Sequence, residues 1–145
     1  MPRIINQDSA GKQRTTLVKG VALAIRELSQ QSSTGDEARD LAAFIALALD
    51  EIAAGIDPSV AAWEKRGYWV KADRFRMDWA WSGAVGSKMK AALLAGDWAA
   101  IAGLAAQTAG RISNVQVADH HRLGKPWHGA YERLKTASSD QTGET

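Results

Sequence analysis

The sequence predicts an all-α domain, a compact bundle of about five or six helices around a central helix that is apolar on two sides. Apolar residues recur at three- and four-residue steps along most of the chain, as they do on one face of a helix. Alanine is abundant, and β-branched residues form no alternating runs of the kind strands need. Proline occurs only at Pro2, Pro58 and Pro126, and the last two sit where helix starts are expected.

A chain of 145 residues suits one ordinary domain. The expected division is a flexible polar leader over 1–13, a helical domain over 14–135 and a disordered polar tail over 136–145. A domain of this size buries enough surface to hold a core without disulfides or metal. The absence of cysteine removes thiol nucleophiles and cysteine-ligated zinc. No cofactor is expected.

The first helix is expected from Thr15 to Gln30, where Leu17, Val18, Val21, Ala24, Ile25 and Leu28 share a face. The second has a start signal in Thr34 and Glu37, whose spacing suits a reciprocal capping box. Leu41, Phe44, Ile45, Ala48, Leu49 and Ile52 give it a broad apolar face, and Gly55 is its expected stop. Asp57-Pro58 opens the third, and the spacing predicts one continuous helix over Val60–Trp81. On a helical wheel one stripe holds Tyr68, Ala72, Phe75 and Trp79, with Trp69 beside it, and a second holds Trp63, Val70, Met77 and Trp81. Two stripes imply two neighbours, or one neighbour and a partner chain.

Gly83 and Gly86 are expected to kink or end that helix. A short helix over Ser87–Ala95 follows, then a Gly96 stop, an Asp97 cap and a helix from Trp98 to about Thr108. Gly110 to Lys125 reads as a loop. The last helix is expected to start near Pro126, with Trp127, Ala130, Tyr131 and Leu134 facing inward.

The net charge of +2 demands neither a nucleic acid nor a membrane. The longest apolar run, Leu41–Leu49, is too short for the roughly 20 residues of a spanning helix. The polar start lacks the apolar stretch of a secretory signal, so a cytoplasmic location is expected. Acids gather between Asp36 and Asp57 and bases between Trp63 and Lys90, a division that neighbouring helices would answer by mutual attraction.

The Trp63–Trp81 segment holds four of the six tryptophans among five basic residues. Core packing claims most of the rings. The surplus suits an interface, where Trp, Tyr and Arg are the usual anchors. The leading expectation is therefore a non-catalytic module that binds protein, most simply as a two-fold homodimer. Its candidate residues are Trp63, Arg66, Trp69, Arg76, Trp79 and Trp81. A second reading is nucleic-acid contact through Lys65, Lys71, Arg74, Lys88 and Lys90. That reading needs exposed rings beside exposed cations.

A third reading is a metal-dependent or acid–base enzyme. Asp119, His120, His121 and His128 supply the right donor atoms, but adjacent histidines on a helix point about 100° apart and none has a partner at i+4. Gly83 to Lys88 departs from a phosphate loop in spacing, residue order and preceding element. The carboxylate pairs Asp36 with Asp40 and Asp50 with Glu51 sit at helix ends, where solvated acids are expected.

Overall fold

The computed structural model describes residues 7–118 and 121–142. Seven helices occur among them and no strand: α1 (Gln7–Ser29), α2 (Asp36–Ala54), α3 (Ile56–Lys65), α4 (Trp69–Trp79), α5 (Trp81–Ala95), α6 (Trp98–Arg111) and α7 (Ala130–Thr142). The all-α bundle is as the sequence predicts. Five helices form its body, and α3 with α4 forms a hairpin on its flank.

The central element is α2. It packs against α1, α5 and α7, and α6 covers α5 from outside. Leu41, Ala42, Ala43, Ile45, Ala46, Ala48, Leu49 and Ile52 are all buried on it. Alanine at so many positions keeps α2 thin, so three neighbours approach it at once. Two glycines complete the fit. A Cβ on Gly86 would stand 2.6 Å from Asp50 Oδ1, 3.2 Å from Leu49 Cβ and 3.3 Å from the Ala46 carbonyl. One on Gly20 would stand 2.9 Å from the Phe44 ring.

Gly83 and Gly86 therefore lie inside α5, where the sequence predicts a kink or stop. Their value is close helix approach, and tertiary contact overrides their weak helix propensity. The Gly96–Asp97 signal forms as expected. Gly96 is left-handed, its neighbour Asp97 donates its N–H to the Ala92 carbonyl, and Asp97 Oδ1 accepts from Ala100 N. The Thr34–Glu37 capping box does not form. Helix α2 starts at Asp36 behind an extended Gly35, with no side-chain cap. Helix α1 begins at Gln7, well ahead of Thr15, and α7 runs on to Thr142.

The continuous Val60–Trp81 helix is corrected. The chain breaks at Arg66–Tyr68, because Gly67 takes φ +82. Tyr68 N donates to the Trp63 carbonyl and Gly67 N to the Glu64 carbonyl, the paired bonds of a Schellman stop. A second break falls at Ala80. There Trp81 Nε1 donates to the Asp78 carbonyl and Ser82 Oγ to the Trp79 carbonyl, which satisfies two acceptors of the last turn of α4. The folded-back pair has its own small core of Val60, Trp63, Ala72 and Phe75.

Helix α7 starts four residues later than Pro126. Residues 126–129 form a turn that ends on a left-handed Gly129. Trp127, Ala130 and Leu134 are buried there as expected. Asp40, expected to be a solvated acid, anchors this join: Oδ2 accepts from Gly129 N and Oδ1 from Tyr131 N. It thus caps α7 from the side of α2, about one turn beyond its own helix start. The loop after α6 is tied down by Arg26 Nη1, which donates to the Val117 carbonyl.

Candidate functional site

The breaks at Gly67 and Ala80 divide the tryptophan-rich segment into three places with different chemistry. Inside the hairpin, Trp63 meets Phe75 edge-on at 4.8 Å between centroids. Trp63 is buried, and its indole N–H has no acceptor among the described residues. At the tip, Tyr68 and Trp69 are 55% and 60% exposed, and farther along α4 Val70 and Met77 are 76% and 77% exposed. At the elbow, Trp79 and Trp81 stack at 6.1 Å and 26°.

The expected interface set is therefore split. Trp63 is a core residue. Arg76 is held by Asp73 at 3.0 Å and by Glu64 at 3.7 Å, and Arg66 is exposed at the hairpin turn. Trp69 is exposed. Trp79 and Trp81 are half-buried at the elbow. The two predicted stripes do not survive the breaks. Ala72 and Phe75 of the first stripe face the hairpin interior, while Val70 and Met77 of the second face solvent although Trp63 of that same stripe is buried.

The nucleic-acid set also divides. Lys71 and Arg74 line an open depression with Gly67, Tyr68, Trp69 and Val70. Lys65 is exposed at the end of α3, and Lys71 Nζ lies 5.2 Å over the Trp63 ring. Lys88 and Lys90 lie apart on α5, where Lys90 faces Asp50. Burial pushes the Asp50 carboxyl above its ordinary value, and Lys90 partly offsets this. This facing pair is one instance of the predicted attraction between acidic and basic helices. The ion pairs Arg39–Asp36, Arg76–Asp73, Arg76–Glu64 and Lys135–Glu132 are each local to one helix or to the hairpin.

Of the metal candidates, Asp119 and His120 lie outside the described residues. His121 Nδ1 accepts from Leu123 N, which engages that ring nitrogen in its own loop. His128 is exposed in the turn before α7. Among the described residues no three His, Asp or Glu side chains gather in a way that would hold a metal ion. No described helix is long and apolar enough to cross a membrane.

A further feature, beside the elbow, was not legible as a site in the sequence. A cleft of about 630 Å³ opens between α1, the α4–α5 elbow and the loop after α6. Arg14 and Lys19 enter it from α1, Met77, Asp78, Trp79 and Trp81 from the elbow, and Arg111, Asn114 and Gln116 from the third side. Val18 and Ile112, both buried, are part of its lining. Arg14 is half-buried, with its guanidinium 4.4 Å from the Phe75 centroid, and burial lowers its pKa. Arg111 sits 6.0 Å over Trp81. None of these three cations is ion-paired among the described residues, and Asp78 is the one acid in the lining. The signals come from three segments far apart in sequence, so no local motif marks them.

Comparison with protein-family models, curated proteins and solved structures finds no match to this chain.

Proposed function

We propose that the chain is a non-catalytic docking module, and that α4 receives the apolar face of an acidic helix from a partner protein. The observation that supports this is the cluster of exposed Tyr68, Trp69, Val70 and Met77 on one short helix. Large apolar side chains grouped this way mark interaction surfaces, whereas single exposed ones do not. Val70, Arg74 and Met77 are four and three residues apart, the spacing that offers a helical partner a stripe. The depression beside Trp69 is lined by Lys71 and Arg74 and by no acid, so an acidic partner suits it.

A two-fold pairing of this surface with itself would set those cations against their own copies. A second copy is therefore the less favoured occupant. Single-stranded nucleic acid is favoured by Tyr68 and Trp69 standing exposed beside Lys71 and Arg74. Val70 and Met77 favour protein, since a sugar–phosphate chain gains little from aliphatic contact.

The test is a fluorescence titration with a helical peptide of Glu/Leu heptads and, separately, with oligo(dT). Saturable peptide binding that weakens with salt and falls about tenfold in Trp69→Ala is expected. Binding of oligo(dT) with the peptide inert would overturn the reading. Sedimentation at rising concentration covers the second copy: a dimer abolished by Trp69→Ala would assign the surface to self-association.

A further inference from the structure

The elbow cleft has the makings of a small-molecule site. Its volume of about 630 Å³ lies in the range of ligand pockets, roughly 300–1,000 Å³. Its walls divide by chemistry. Trp79 and Trp81 supply a stacked aromatic pair with Met77 beside it, and Arg14, Lys19 and Arg111 supply three cations. Asn114 and Gln116 add side-chain amides, which both donate and accept.

A half-buried arginine without a carboxylate is costly to keep. Arg14 has a ring partner in Phe75 but no counter-charge among the described residues. Lys19 and Arg111 lie in the same cleft, and Asp78 alone opposes them. An anion entering here would relieve repulsion among the three as well as forming its own bonds. Guanidinium groups match the paired oxygens of a phosphate, and a planar heterocycle gains from lying against indole.

We infer that this cleft binds a mononucleotide-sized anion, with its phosphate on Arg14, Lys19 and Arg111 and its ring against the Trp79–Trp81 pair. Amides at Asn114 and Gln116 suit the mixed donor and acceptor edge of a base. The site shares Met77 with the docking surface but none of Tyr68, Trp69, Val70, Lys71 or Arg74, and it does not depend on that surface. A phosphate with an attached ring comes from two sources, a free nucleotide or one unit of a strand. The volume of about 630 Å³, which suits a single nucleotide unit, favours the free form.

Calorimetric titration of the whole chain with AMP at low salt tests the inference. Lys19→Glu and Arg111→Glu are suitable variants, because both side chains are exposed and neither supports the core. Circular dichroism verifies that each remains folded. Saturable AMP binding is expected, with Kd raised about tenfold in each variant. Adenosine and inorganic phosphate, each carrying half of the recognised chemistry, are expected to bind at least tenfold more weakly than AMP. Trp69→Ala is expected to leave AMP binding unchanged, which separates this site from the docking surface. No saturable heat at millimolar AMP would overturn the inference. So would equal affinity in wild type and both charge-reversed variants, or binding of oligo(dA) where AMP fails.

Discussion

In the five-helix body, α2 reaches its neighbours through alanines and through glycines on α1 and α5. In the α3–α4 hairpin, Trp63 and Phe75 fill the gap with two rings. The body's core is broad, continuous and aliphatic, with side chains from all five of its helices. The hairpin's core has four buried residues, and only a little of the hairpin touches α1 and α2. Small residues allow many close contacts, so each helix is held by several neighbours. Two large rings hold one partner and leave the far side of α4 uncovered. Tyr68, Trp69, Val70 and Met77 are exposed for that reason. The region with the thinner core is also the one that carries the candidate surface, as expected where local stability is low.

Trp63→Ala breaks this comparison most directly. Removing a buried Trp costs about 3–5 kcal/mol, more than a four-residue core can absorb. Hydrogen exchange is expected to show amides of 56–79 losing protection while those of α2 keep theirs. Loss of protection in both together would mean that the hairpin is not a separate cooperative unit. Gly86→Val examines the other side. Its side chain would press on the Ala46 carbonyl and Leu49, so a cost of about 1–3 kcal/mol is expected. Chemical denaturation should show that loss as a lower midpoint for the whole body.

Asp40→Ala sharpens the division within the body. It removes two bonds to the start of α7, and a lost cap of this kind costs about 0.5–2 kcal/mol. Proteolysis is expected to cut near 124–131 sooner, with α1 and α2 still protected. The smallest effect is at Asp50, beside Gly86. Burial raises its pKa, so the folded protein holds this proton more tightly than the unfolded chain. Stability from this group therefore falls as pH rises from the ordinary 3.8 through the raised folded value. Asp50→Asn is expected to melt slightly above wild type at pH 7, and the gap should close below pH 3.8. A gap that persisted at low pH would assign the gain to packing instead of charge.

The body was largely legible in the sequence because its signals are local. The face of Leu41, Ile45, Leu49 and Ile52 recurs at helical spacing, and the Gly96–Asp97 pair ends one helix and caps the next. The hairpin was not legible, although Gly67 makes the same left-handed stop as Gly96. Aromatic residues continue at helical spacing on both sides of Gly67, and that periodicity outweighed a single glycine. The reverse error occurred at Gly83 and Gly86, where glycine marks contact with α2 and the helix continues. The elbow cleft was hidden for a third reason. Arg14, Trp81 and Arg111 share no local pattern, and only tertiary packing brings them to one opening.

The bonds from Asp40 to Gly129 and Tyr131 join residues 89 and 91 positions apart. During vectorial synthesis the ribosome releases α2 long before it makes the turn that this carboxylate holds. One flank of the central helix therefore stays open until nearly the whole of the described chain has emerged. The α1–α2 pair can dock early, but final closure waits for residues 129–131. A stalled nascent chain cut short of residue 131 would present that flank to chaperones.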